Sequence, residues 1–286
     1  VSMNESQAQL TLTFPWSQPI GLSVSVMLEG WTDQASPEAG PMGNPLHSGV
    51  LDSQARNWAD YGTVCGAQNV LRVFDRHQVQ AVFYMSGLIA ERNADLVKSI
   101  VQAGHFVAAH SWAQDQMPAY QNPEEQKSTI LRCVETLRET SGTTPLGWMS
   151  PRCTPGTDTV RLLGEAGFLW TADIFDADLP YVLDRTTGLI AMPFSVEIND
   201  MPLSIRYGNA PSTYSEILQR LLDNWQATCV PCACLDLTVH SHVFGRPYGL
   251  VELAASLELA HERTELVHLT THHELARLCQ QQLSHK

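Results

Sequence analysis

The chain is predicted to be an α/β protein whose parallel strands curl into a closed or nearly closed barrel. Six or seven successive units, each a short apolar run followed by a segment of helical period, call for a parallel sheet. No linker-like composition divides the 286 residues, so a single domain over 1–286 is expected, with the barrel running from about 20 to about 280. Polar side chains recur just past the carboxyl ends of the strand runs, and in such a barrel those ends meet on one rim.

Residues 22–28 alternate apolar with small or polar side chains, the period of a strand, and bring Glu29 to its end on the face opposite Leu22, Val24, Val26 and Leu28. The stretch 32–60, rich in Pro, Gly, Asp and Ser and containing His47, has no period and reads as a long loop. Helical spacing of Val70, Leu71 and Phe74 within 64–77 leads to a strand at 81–85. Asn93 is expected to cap a helix carrying Leu96, Val97, Ile100 and Val101, which Gly104 stops ahead of a strand at 106–109 ending in His110. Asn122-Pro123-Glu124-Glu125 joins a cap residue to a proline at the first helical position and a glutamate at the third, so a helix runs through Ile130, Val134 and Leu137 to Gly142. A strand at 146–149 opens into the loop Ser150-Pro151-Arg152; a short helix from Val160 closes at Gly167, and a strand at 168–172 ends at Asp173 before an Asp-rich loop. A strand near 189–196, a helix near 212–225, a strand at 235–239 reaching His240, a helix at 250–262, a strand at 265–269 and a closing helix from about 271 complete the pattern. His272 and His273 read as part of an exposed terminus.

Thirty acidic against 17 basic side chains leave a net charge of −13, and no basic block interrupts that balance, which excludes nucleic acid and anionic membranes as expected partners. No apolar run reaches the roughly 18 residues of a membrane helix, and Val1-Ser2-Met3-Asn4 does not open a signal peptide, so a cytoplasmic protein is expected. Seven cysteines spread through the elements suit buried thiols in a reducing compartment. Cys229, Cys232 and Cys234 have the close spacing of a zinc site but lack a second cluster, and are read as structural. Eleven histidines against three lysines are the first chemical hint.

Glu29, His110, Arg152, Asp173 and His240 each fall at a strand end. Their surroundings resemble a family. Gly104-His105-Phe106-Val107-Ala108-Ala109-His110-Ser111-Trp112 looks like the Gly-His-Glu-(hydrophobic)-x-x-His-x-Trp segment of polysaccharide deacetylases, and Arg152-Cys153-Thr154-Pro155-Gly156 is similar to their arginine loop. Pro145-Leu146-Gly147-Trp148, Asp176-Ala177-Asp178-Leu179-Pro180, Asn199-Asp200-Met201 and His240-Ser241-His242-Val243-Phe244-Gly245-Arg246-Pro247 resemble the branch of that superfamily that holds allantoinases and cyclic-imide hydrolases. The resemblance implies a distorted (β/α) barrel of the NodB-homology type and, by analogy with the branch, a homo-oligomer.

In the deacetylases the resemblance implies paired aspartates after the first strand, one a base and the other a ligand to a divalent metal completed by two histidines four residues apart. Here the pair is Leu28-Glu29, His110 keeps the first histidine, and Gln114 replaces the second. The expectation is therefore no cofactor; if zinc were bound, its set would be Glu29, His110 and Gln114, which is poor in the ligands zinc prefers. The resemblance assigns catalysis to Glu29, as base toward water or its orienter, to His110, which would orient that water, and to His240, which would protonate the departing nitrogen. A base role for Glu29 would gain from burial that raises its pKa. Arg152, Asp173, Trp112, Trp148, Asp200, His242 and Arg246 are expected around the substrate. Each also has a plainer reading: a strand-end carboxylate in solvent for Glu29, a loop brace for His242 and Arg246, a turn for Asn199 and Asp200, and pocket wall for Trp112, Trp148 and Gln114.

The function expected is hydrolysis of a carbon–nitrogen bond, other than a peptide bond, in a small cyclic amide, imide or ureide, with a small-molecule substrate as the partner. A metal-dependent N-deacetylase of an amino sugar or glycan is the second expectation. A binding homologue that has lost its catalysis, or been put to another use on a small metabolite, is the third.

Overall fold

The computed structural model describes residues 12–284 apart from 39, 44, 45 and 48. The start at Val1, where no signal peptide is expected, lies outside the described residues. Nine strands form one curled sheet: β1 (Ile20–Leu28), β2 (Val82–Met85), β3 (Phe106–Ala109), β4 (Gly147–Trp148), β5 (Trp170–Ile174), β6 (Tyr181–Asp184), β7 (Leu189–Pro193), β8 (Ala233–His240) and β9 (Val267–Leu269). Their order is β6-β7-β5-β4-β3-β2-β1-β8, with β9 also on β1. All neighbours are parallel except the β6/β7 pair. The sheet is a half-barrel. Its gap at β8 is bridged by a coil rather than a strand: Asp236 N–H donates to Ser195 Oγ at 2.9 Å and Thr238 N–H to the Ile198 carbonyl at 3.1 Å.

The alternation in β1 sorts its side chains as expected. Leu22, Val24, Val26 and Leu28 join the core beneath the outer helices, whereas Met27 joins a second core inside the curl. The outer helices are α1 (Ser53–Tyr61), α2 (Ala67–His77), α3 (Gly87–Arg92), α4 (Ala94–Gln102), α5 (Pro123–Ser141), α6 (Thr159–Glu165), α7 (Thr213–Asp223) and α8 (Pro247–Glu262). The capping box of α5 forms in full, and Gly142 ends it in the left-handed conformation at φ 76°. The last helix, α9 (His272–Ser284), sets Leu275, Ala276 and Cys279 into the inner core and closes the floor of the curl.

That floor also holds a buried polar knot. Asp236 accepts hydrogen bonds from Ser23 at 2.6 Å, Ser25 at 2.9 Å and Thr238 at 2.6 Å, and the His272 Nε2 lies 3.3 Å from it. The other His272 nitrogen meets the Tyr84 hydroxyl at 2.8 Å, which in turn accepts from Trp170. His272 is thus buried, and His273 stacks on Phe106 at 4.3 Å, which corrects the expectation of an exposed terminus. The reason is that α9 packs back under the sheet instead of trailing from it.

Two local expectations also change. Residues 53–61 are helical: the Asp52 carboxylate accepts from Gln54 and Ala55 N–H, and Ala55, Trp58 and Ala59 are buried at helical spacing. Asn93 is the N-cap residue of α4 as expected, but its side chain makes no capping hydrogen bond: the amide donates back to the Ile89 carbonyl at 3.1 Å. A π-helical turn, Gly62–Gly66, links α1 to α2 and lies against the loop after β8. A Cβ on Gly66 would be driven into the Ser241 carbonyl oxygen, so only glycine permits that approach. Of the clustered cysteines, Cys229 is exposed and Cys234 is buried in β8; all seven are free thiols.

Candidate active site

The carboxyl ends of β1, β3 and β8 deliver Glu29, His110 and His240 to one cavity of about 560 Å³. Glu29 lies at its floor. The Glu29 Oε1 is 3.6 Å from His110 Nε2 and 3.9 Å from His240 Nε2, and Oε2 is 3.9 Å from His242 Nε2. Burial pushes the Glu29 carboxyl pKa up, but the charge of His240 and the facing His110 and His242 rings outweigh it and hold the group at about 2. The expected rise toward neutrality is thereby reversed, because three imidazoles face one carboxylate.

His240 is anchored from behind. Asp200, fully buried, accepts the His240 Nδ1–H at 2.6 Å, the His240 backbone N–H at 2.7 Å and the Phe244 N–H at 3.2 Å. Burial alone would strip His240 of its proton; the charges of Asp200 and Glu29 and the hydrogen bond that His240 donates to Asp200 prevail and raise its pKa. With Nδ1 committed to Asp200, the proton facing Glu29 and the cavity is on Nε2. His110 is fixed in the same manner: its Nδ1 lies 2.9 Å from the Met149 carbonyl, which can only accept, so Nδ1 carries hydrogen and Nε2 points at Glu29.

His242 differs from both. It is fully buried, edge-on to Trp58 at 4.5 Å, and neither ring nitrogen has a hydrogen-bond partner. Burial lowers its pKa to about 3 against the opposing pull of Glu29, so the ring is neutral. An unpaired buried imidazole on a cavity wall is costly unless a bound molecule pairs with it.

The remaining expected residues divide. Arg152 lies at the cavity mouth, where Nη1 donates to Glu38 at 3.2 Å, and it does not touch Glu29 or Asp173. It follows β4 in a strained turn, with Arg152 and Cys153 at φ 56° and 50°. Asp173 neither fixes Arg152 nor lines the cavity; it accepts the Ser150 N–H and Oγ–H, both at 2.7 Å. Burial raises the Asp173 pKa against those hydrogen bonds and the field of His110. Trp148 is buried in the outer core with Nε1 donating to Ser150 Oγ at 3.0 Å. Trp112 packs under Gly87 with the Arg132 guanidinium 3.4 Å above its ring. Arg246 braces the loop, its Nε donating to the His242 carbonyl at 3.1 Å and its guanidinium over Tyr61. Asp173, Trp112, Trp148, Arg246 and Asp200, expected around the substrate, are not among the residues lining the cavity and stand behind it, each occupied by protein groups. Trp31 and Trp58, Met117 and Tyr120, Phe175 and Phe194, and Tyr207 line the cavity without having been singled out in the sequence. The Asp52 cap and the Ala55/Trp58/Ala59 spacing are the signal that could have found Trp58.

The donor set does not fit a divalent metal in the deacetylase manner. Gln114 turns its amide inward to donate to Ser86 Oγ at 3.1 Å and to the His110 carbonyl at 3.4 Å. Among the described residues no three His, Cys, Asp or Glu side chains are disposed to hold a metal ion.

Residues 59–169 match the polysaccharide deacetylase family. A peptidoglycan deacetylase of Helicobacter pylori is 22% identical over 218 residues, 65% of this chain and 74% of that protein. A crystal structure of a probable polysaccharide deacetylase from Pseudomonas aeruginosa PAO1 superposes with a TM-score of 0.85 at 24% identity, covering 94% of this chain and 93% of that one. The crystal structure of PuuE allantoinase does so with a TM-score of 0.83 at 25% identity, covering 93% and 91%. No helix among the described residues is long and apolar enough to cross a membrane.

Proposed function

From a chain whose residues 59–169 match the polysaccharide deacetylase family, we propose a metal-independent hydrolase that opens the carbon–nitrogen bond of a small cyclic amide, imide or ureide. The observation that carries the reading is the junction of Glu29 with His110 and His240, the latter backed by Asp200, at a position where Gln114 supplies no imidazole. The likeness to an allantoinase supports the same chemistry. The seven free thiols support a cytoplasmic setting.

Glu29, held near 2, is ionised and serves as an acceptor that orients water more readily than as a base. His110 Nε2, aimed at the same point by its Nδ1 anchor, takes the proton as the water attacks the carbonyl carbon. His242 offers a neutral N–H to the carbonyl oxygen as charge builds there. His240 gives its Nε2 proton to the departing nitrogen, and Asp200 keeps the ring in place and charged until then. Arg152, tied to Glu38 at the mouth, receives the part of the substrate that leaves the cavity.

The test is turnover of a panel of succinimide, hydantoin, allantoin and N-acetylglucosamine oligomers by protein purified without added metal, with elemental analysis of the same sample. Ring opening by metal-free protein is expected. Acetate release that requires stoichiometric zinc would instead establish the metal-dependent deacetylase, the reading favoured by the Helicobacter pylori relative.

A further inference from the structure

The cavity is much larger and more apolar than the ring that its floor is suited to open. At about 560 Å³ it falls in the range of roughly 300–1,000 Å³ that holds a drug-sized molecule. A bare five-membered imide or hydantoin over Glu29 would leave most of that space as water against Met27, Met117, Phe194 and Met201. The mouth continues the apolar wall to the surface. Tyr120, Phe175, Val196 and Tyr207 are large apolar or aromatic side chains left exposed, and all four border this cavity. Exposed apolar groups gathered on one concavity mark a binding surface.

Several polar groups above the floor are already committed. Asp115 accepts from the Thr32 N–H at 2.9 Å and Oγ–H at 2.6 Å. Glu38 and Arg152 pair with each other, and the Asn199 side-chain oxygen accepts the Met201 N–H at 3.0 Å. An apolar group would displace water from the apolar walls without loss of hydrogen bonds.

We propose that the substrate carries an apolar, aromatic-sized substituent on its ring, seated against Phe175, Phe194 and Tyr207 while the scissile bond lies over Glu29. This rests on the ring-opening reading and names the substrate class within it.

The experiment compares succinimide with 2-phenylsuccinimide and hydantoin with 5-benzylhydantoin, alongside N-acetylglucosamine oligomers. Ring opening is followed with the wild-type protein, and calorimetric binding of the same compounds is measured on Glu29→Gln. Burying one phenyl ring predicts a preference on the order of 100-fold in kcat/KM and in affinity for the substituted member of each pair. Phe175→Ala and Tyr207→Ala are expected to cut that preference about tenfold each, on the scale of one truncated aromatic contact. Equal or reversed preference with ring opening intact would overturn the substituent and leave the ring chemistry standing. Acetate release from the oligomers with no ring opened would overturn the ring chemistry, and the substituent with it.

Discussion

Replacing Asp200 by Asn tests the part of the site on which proton delivery depends. The side chain keeps its shape, and its oxygen, in the place of Oδ2, can still accept both backbone N–H groups, from His240 and Phe244. What it loses is the negative charge 2.6 Å from His240 Nδ1. A hydrogen bond to a charged group contributes about 1.5–3 kcal/mol, which at about 1.36 kcal/mol per unit is a fall of about one to two pKa units. In the native protein the His240 pKa is raised above its ordinary 6.5, so the stability it confers is complete below pH 6.5 and is lost as pH rises through the folded value. Nuclear magnetic resonance titration of the imidazole reads this directly, without a substrate. The His240 midpoint should lie above 6.5 in the native protein and fall by about one to two units in Asp200→Asn. The high-pH limb of kcat/KM should move down by the same amount, since deprotonated His240 cannot serve the departing nitrogen. A folded Asp200→Asn protein whose His240 midpoint does not move would refute the reasoning and leave Asp200 a loop brace.

Other expectations follow from the same geometry. Glu29→Gln should lower kcat about 10²- to 10⁴-fold and lower the His240 midpoint as well, because the Glu29 charge helps to raise it; full turnover would remove Glu29 from catalysis. His242→Gln should lower kcat by about 10²- to 10³-fold with little change in KM, and an unchanged kcat would show that the ring only fills space. Gly66→Ala should destabilise by about 1–3 kcal/mol through overpacking and disturb His240 and His242, because its methyl group meets the Ser241 carbonyl oxygen between them; denaturant melts and histidine titration together check it. Stability should fall as pH drops below 6.5, since His242, held down to about 3 by burial, refuses the proton the unfolded chain accepts. That histidine alone contributes about 1.4 kcal/mol per pH unit, and buried His105 and His272 act in the same direction. Urea unfolding at pH 7, 6 and 5 measures the slope, and a flat profile would mean that these rings ionise in the folded protein.

The sequence by itself determined most of the sheet and its helices, though not α1, α3 or β6, because strand period, helical period, caps and left-handed glycines are local properties. The β1 alternation, the α5 capping box and the stop at Gly142 all follow from side chains a few residues apart. It also placed Glu29, His110 and His240 at strand ends, where parallel topology turns sequence distance into proximity. Tertiary structure alone decided what those residues face. Trp112, Trp148, Asp173 and Arg246 have the chemistry of binding residues, but each is drawn behind the cavity by a partner distant in sequence or in a loop of its own: Arg132, Phe168, Ser150 and Tyr61. The pKa of Glu29 was illegible for the same reason. Burial of one carboxylate favours protonation, and only the convergence of three imidazoles from β3 and the β8 end reverses it. His272 follows the same rule: what looked like a polar chain end is a buried link between Tyr84 and Asp236, because α9 folds back to shut the floor of an open barrel, and no local pattern encodes that return.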